Sequence, residues 1–464
     1  MKLSRRPAWP ITALLIGFPL WWALGLEDFI WIIVALPMGV RMVSWRARGG
    51  RALKMPPGFG LWLLFLVCAI AGVAALGVMA PGTAASSVSD RAVSYAYRTA
   101  SYLAVTVLLL YAGNLSESEL PRRRLAWMLG LVGIYATVGG LAAIAAPHFG
   151  FSSPVQKLLP ASLQSNPSIL AETHPALAQI QTVTGGANAR PKAPFDYTNA
   201  WGDCLTILIP WLIVGWWRPR DRRRALLVVA VVALASVPLL YSLNRGAWIG
   251  AALALALLVL RLVARRPRAL VSTICAGAIL VAILGLATPV AGVIGKRLSN
   301  PGSYSLRDEL DRLAVRDALS SPVIGYGDTR KQLGSQHSIA IGPTSKCPRC
   351  GQQEVGGTGQ LWTLLVCNGV VGAVLYIGFF VAGVWRFRRD RTAYGAAGLV
   401  VLLLSLLYLF TYSAVIAPLG FTMLAFGLLW RNEQHRGSRL APNRVAAATT
   451  PHSERRTLTA EPVA

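Results

Sequence analysis

TGQLWTLLVCNGVVGAVLYIGFFVAGV, residues 358–384, carries no charged side chain and then meets WRFRRDR at 385–391. A hydrocarbon core about 30 Å thick is crossed by roughly 20 apolar residues in a helix, so the run is long enough to span it. The basic cluster that follows is the pattern of a short cytoplasmic loop. Working outward, similar segments recur at 10–26, 29–41, 59–81, 92–113, 126–147, 199–217, 225–242, 246–263, 269–293, 396–413 and 415–430. The chain as a whole agrees: 464 residues, 54% hydrophobic, 14% charged, mean hydropathy +0.52. The sequence therefore predicts an all-α polytopic membrane protein with about 12 transmembrane helices. One membrane domain covers 1–430, and 431–464 reads as a disordered basic tail on the cytoplasmic side, since it lacks apolar periodicity.

Charge placement gives an independent reading of the same topology. With the N-terminus inside, Lys and Arg gather at Lys2–Arg6, Arg41–Lys54, Arg122–Arg124, Arg218–Arg224, Arg261–Arg268, Arg386–Arg391 and Arg431–Arg456. These inner segments hold thirty of the 45 basic residues; the other fifteen are intramembrane or external, the external ones mostly in two long loops. Both termini are thus expected in the cytoplasm, with the N-terminal helix retained because no small-residue cleavage site follows it. The net charge of +26 then belongs to topology and to attraction for anionic lipid headgroups, and does not imply a nucleic-acid partner. Cys68, Cys204, Cys275 and Cys367 fall in or beside apolar segments, where cysteine acts as a small apolar residue. Cys347 and Cys350 lie in an external loop. A disulfide, free thiols or a metal ligand pair all fit them, although a structural zinc needs four ligands and no second Cys pair exists.

Two connections on the outer side are long, at about 148–198 and 294–357. In the first, Val155 to Leu163 and Leu170 to Val183 are weakly amphipathic and suit short helices on the membrane face. In the second, Leu306, Leu310, Leu313 and Ala314 recur at helical spacing with charged residues on the other faces, until Pro322 and Gly325-Tyr326-Gly327 end the pattern.

Three blocks in this region resemble the O-antigen ligase and polymerase family of lipid-linked glycan transferases. They are Arg190 with Asn199, the Ser242-Leu243-Asn244-Arg245-Gly246 junction, and Arg307 followed by Ala318-Leu319, Pro322, Gly325-x-Gly327 and a histidine, His337. Together they cover about residues 190 to 380. In that family the histidine is commonly followed by Asn and leads almost directly into the next helix. Here Ser338 follows, and some 20 residues intervene. The extra spacing between Ser242 and Arg245 is a second departure.

The resemblance implies transfer of an oligo- or polysaccharide from a polyprenyl pyrophosphate carrier to an acceptor hydroxyl on the outer face of the plasma (inner) membrane. The acceptor would be a lipid, a protein or another glycan, with no cofactor and no metal. Breaking the anomeric bond builds negative charge on pyrophosphate, which guanidinium groups bind in pairs. Arg245 and Arg307 are the first candidates for that role and His337 for the base that takes the hydroxyl proton. Arg190, Asn199, Arg312 and Arg316 are candidate substrate contacts. Arg98 joins them because an intramembrane arginine faces a polar cavity or a partner.

Structural explanations compete with each of these. Arg307 is spaced to pair with Asp311, Arg245 to snorkel toward lipid phosphates, and a loop histidine is commonly incidental. Other classes are less well supported. No Asp-x-Asp occurs for a metal-bound nucleotide sugar. Glu27-Asp28 lie in an external connection only a few residues long, too short to reach a substrate. A transporter or flippase of lipid-linked glycan would suit the span count but lacks paired Gly/Pro-broken helices in two halves.

Overall fold

The computed structural model describes residues 7–47, 52–84, 87–164, 167–182, 187–218, 220–263, 302–332, 353–414 and 416–448. Each proposed span within these residues overlaps helix, although 10–26 is divided between two helices and 59–81 is helical only to Ala75; the 269–293 segment lies outside them. The helices are α1 (Trp9–Ile16), α2 (Phe18–Leu24), α3 (Phe29–Ala47), α4 (Phe59–Ala71), α5 (Val88–Asn114) and α6 (Arg122–Ala145). Three short helices follow, α7 (Pro154–Leu158), α8 (Ala161–Gln164) and α9 (Pro167–Thr173), then α10 (Thr198–Trp216), α11 (Arg222–Tyr241) and α12 (Arg245–Val263). The last four are α13 (Gly302–Ser320), α14 (Gln360–Phe387), α15 (Ala393–Tyr408) and α16 (Ala417–Ala448).

Among the described residues, five helices are long and apolar enough to cross a membrane: α3, α5, α6, α11 and α14. Arg222–Tyr241 has a hydropathy of 2.2 with only 22% of its window buried in the protein. So apolar a face left uncovered needs a lipid environment. Leu36, Val40, Val67, Leu226 and Val229 are likewise exposed along α3, α4 and α11. Inside, Trp62, Phe65, Tyr376 and Phe379 form an aromatic cluster that joins α4 to α14. On α6, Gly130 lies so close to Leu212 of α10 that an added Cβ would stand 2.7 Å from its Cα. Small residues permit such backbone contact where there is no water to drive association.

The structure departs from expectation at both ends of the external region and at the tail. Val155 to Leu163 contains α7 and the start of α8, but Leu170 to Val183 is not one helix. The helix stops at Thr173, and Pro175 explains the stop, because a proline disfavours helical geometry in the residue before it. Ala178–Thr182 then pairs as β1 with β2 (Ala187–Pro191), antiparallel, with Gln179 opposite Arg190. At the other end, α16 continues past Trp430 to Ala448, so residues 431–448 are helical where the sequence suggested a disordered tail. A second ladder pairs β3 (Arg330–Lys331) with β4 (Glu354–Val355).

One interruption positions the face that carries α13. Within α14, Gly369 has φ 70° and ψ −179°, a region open in practice only to glycine. Carbonyls released by this kink are taken up by the turn after α13: Tyr326 N–H donates to Val366 O (2.8 Å) and Gly327 N–H to Cys367 O (2.9 Å). Val371 N–H in turn donates to Pro322 O (3.0 Å). Arg330 locks the turn from beneath, its guanidinium donating to Asp328 O (2.7 Å), Tyr326 O (2.9 Å) and Val78 O (3.2 Å). Helix α13 buries Leu310, Ala314 and Ala318, with Leu310 and Ala314 packed against Val355 and Val366. Its first turn, carrying Arg307, is thereby fixed over the bundle.

Candidate active site

A cavity of about 440 Å³ opens beneath Arg307. Arg98 from α5 and Asn199 from α10 line it together with Arg307, and Thr411, Tyr412 and Ser413 close one side. The loop carrying that side is held by Gln360: its backbone N–H donates to Tyr412 O (2.6 Å), while Ala414 N–H donates to its Oε1 (3.1 Å).

The three separated sequence blocks converge here. Arg190, buried on β2, donates from Nη2 to Asn199 Oδ1 (3.1 Å), from Nε to Ser242 O (2.5 Å) and from Nη1 to Gln181. Its guanidinium thus stands behind the cavity and orients Asn199, which does line it. Ser242 ends α11, Leu243 follows in the left-handed region (φ 51°), and Asn244 starts α12 by accepting from Ala247 N–H (2.8 Å). Tyr412 donates its hydroxyl to the same Asn244 oxygen, which couples this junction to the cavity. Arg245, half-buried, opens α12 next to that contact but does not line the cavity. Holding a leucine at positive φ costs on the order of 1–3 kcal/mol, a strain found where surrounding structure fixes a functional turn.

Arg98 is engaged within the fold. Its Nη1 pairs with Asp328 Oδ1 at 2.8 Å and approaches Cys367 Sγ at 3.2 Å, and Ser94 Oγ donates to the same carboxylate oxygen at 3.0 Å. Arg307, by contrast, is exposed and has no ion-pair partner among the described residues. The i, i+4 pairing with Asp311 does not form; Asp311 accepts from the Thr358 hydroxyl instead. Arg312 does pair along the helix, with Asp308 at 2.9 Å on a solvent-exposed face. Neither Arg312 nor the exposed Arg316 lines the cavity. His337, Cys347 and Cys350 lie outside the described residues. The residues that lead into α14 are Gly357 and Thr358, both at the cavity.

Sequence reasoning missed the opposite side. Asp28, Glu172 and Asp196 line the same cavity, and Glu27 lies buried beside Asp28. The short connection that carries Glu27-Asp28 has no need to reach out, because the long 148–198 loop folds onto it. Gly25 packs on Ser153 and on the carbonyl of Thr173, next to Glu172. Tyr97 donates its hydroxyl to Asp28 Oδ2 (3.1 Å). Burial, and then the charge of Asp28, raise the Glu27 and Glu172 carboxyls well above the usual range. The same two causes push Asp196 up to about 7, against the pull of nearby Lys192. Lys192 is itself buried, which lowers it. A signal existed in the sequence, since acids are rare in this chain, but residues 27, 28, 172 and 196 share no spacing that would unite them.

A larger cavity of about 540 Å³ lies near Lys54, Glu117 and Arg431. Arg431 there pairs with Glu117 at 2.9 Å, and Lys54 Nζ donates to the Gln434 amide oxygen at 3.2 Å. Comparison with protein-family models and with curated proteins returns no match.

Proposed function

We propose that the chain transfers an oligo- or polysaccharide from a polyprenyl (undecaprenyl-type) pyrophosphate carrier to an acceptor hydroxyl at the outer face of the plasma membrane. The reading includes twelve spans with both termini in the cytoplasm, which puts the cavity on the outer side. What supports it above all is the convergence of Arg98, Arg307 and Asn199 on one cavity, with Arg190 and the Ser242–Asn244 turn directly behind. Apart from Arg98, an intramembrane arginine singled out separately, those residues come from the three blocks that resemble the O-antigen ligase and polymerase family.

Arg307 is the group best suited to meet the carrier phosphates, since it is exposed at the cavity and able to hold two oxygens at once. Arg98, held by Asp328, supplies a fixed guanidinium to the cavity lining, with its charge largely balanced by that carboxylate. Arg245 retains a place in this reading through its junction with Asn244 and Tyr412. His337 is the proposed base. An incoming sugar hydroxyl would lie among polar groups, since the facing wall presents Asp28, Glu172 and Asp196.

The test is a purified-protein assay with a carrier-linked glycan. Lengthening of the glycan without added acceptor identifies a polymerase, and transfer only on adding a second acceptor identifies a ligase. Arg307→Ala should lower kcat/KM for the donor by about 10²–10³, the usual loss on removing one charge-stabilising donor. His337→Ala should abolish turnover while leaving donor binding. Movement of intact carrier-linked glycan across vesicles without bond cleavage would instead establish a flippase.

A further inference from the structure

We propose that Glu27, Asp28 and Asp196 form a site for a hard divalent cation of calcium size on the acidic wall of the cavity. The ligand oxygens of these three residues all lie within 4.8 Å of one another. Oxygens bound to Ca²⁺ at about 2.3–2.6 Å stand at most about 5 Å apart, while those on Mg²⁺ at about 2.0–2.1 Å stand at most about 4 Å apart. Separations of this size suit Ca²⁺, with its longer bonds, better than Mg²⁺.

A second observation points to a ligand independently of the clustering. Glu27 is 3% exposed, and neither carboxylate oxygen has a hydrogen-bond partner among the described residues. A buried carboxylate in that condition is neutralised either by a proton or by a cation, and a cation seated here would compensate all three carboxylates at once. The nearby groups do not suffice. Glu172 adds a fourth carboxyl, with Oε2 also buried and unpartnered, and Lys192 contributes a single positive charge. Tyr97 satisfies only one oxygen of Asp28.

The ligand type is selective as well. All three groups are carboxylates, which suit Ca²⁺, Mg²⁺ or Mn²⁺ and not the thiolate- or imidazole-seeking metals. Asp28 and Asp196 line the cavity whereas Glu27 lies behind them. The cation would therefore keep coordination positions open toward the cavity, where hydroxyl or phosphate oxygens of a bound molecule can complete its shell. The sites also tie together distant parts of the chain: residues 27 and 28 between α2 and α3, and residue 196 at the entrance to α10. This inference does not rest on glycan transfer, and it departs from the sequence-based expectation that no metal is bound.

The probe is CaCl₂ alone, titrated calorimetrically into the full-length protein in detergent or nanodiscs without any glycan. The expected result is one Ca²⁺ per chain, with affinity weakened at least tenfold in Asp196→Asn and in Glu27→Gln. A chelator should lower the melting temperature of the parent, Ca²⁺ should restore it, and Asp196→Asn should respond to neither. If Glu27→Gln does not fold, Asp196→Asn and the chelator response of the parent decide the question. Equal Ca²⁺ affinity in parent and Asp196→Asn, or a parent indifferent to chelator, overturns the site. Because no donor is present, either result leaves the transfer reading to its own assay.

Discussion

Arg98 and Asp328 are the clearest case of a charge that the fold itself consumes. Their side chains are 12% and 6% exposed, and the pair bridges α5 to the turn after α13. Removing one member strands the other, at a cost of about 3–5 kcal/mol, whereas replacing both with apolar groups of similar volume costs far less. Asp328→Asn should therefore destabilise strongly, and Arg98→Met combined with Asp328→Leu should recover much of the loss in reversible unfolding. A double replacement as unstable as the sum of the single ones would mean that the two residues act independently. Arg98 was legible from sequence because an arginine inside an apolar segment demands a partner. That the partner is Asp328, 230 residues away, was not. The same holds between Arg307 and Arg312, which look alike as letters. Only the packing of Leu310 and Ala314 decides that the former meets the cavity and the latter pairs with Asp308 in solvent.

At the level of elements, the junction between α13 and the kinked α14 governs where Arg307 is held. Gly325 has φ +64°, and a Cβ there would stand 2.5 Å from Gly369 N and 2.6 Å from Asn368 N. A non-glycine residue in the left-handed region costs about 1–2 kcal/mol before any clash is counted. Gly325→Ala should thus lower stability by more than that and reduce activity along with it, while Gly39→Ala, where added atoms meet nothing within 4 Å, serves as a control. Asp317 lies in the same junction. Burial raises its carboxyl to about 6, with Arg316 and Arg330 opposing the shift. A carboxyl raised above its unfolded value of about 3.9 stabilises the fold in its protonated form, fully below that value, and the contribution is lost as pH rises through about 6. The melting temperature should therefore fall between pH 4 and pH 7, and Asp317→Asn should flatten that slope; an unchanged slope would assign it to other groups. The helical spacing of Leu306 to Ala314 disclosed α13 in the sequence. The kink at Gly369 was hidden, because Asn368-Gly369 in an otherwise apolar run reads as an ordinary tolerated glycine.

Over the whole molecule, the apolar segments made the helices readable, and the long loop at 148–198 was readable as a carrier of short amphipathic helices. Its inner chemistry was not, since Glu172 and Asp196 acquire meaning only when the loop descends onto Gly25 and brings them to Asp28. This arrangement makes orientation the property on which the proposed reaction depends. The cavity must open on the side where carrier-linked glycans are presented, and the clusters Arg218–Arg224 and Arg386–Arg391 must face the cytoplasm. Leu158 on α7 is 84% exposed, so a cysteine placed there should react with a membrane-impermeant maleimide in intact cells above the level of the parent chain. A cysteine at Arg224, whose side chain is 55% exposed, should react only after the membrane is opened. Labelling of both positions from one side would invert the positive-residue argument for the segment between them. It would also put the Arg307 cavity and the phosphate carrier on a topology that twelve spans with internal termini cannot supply.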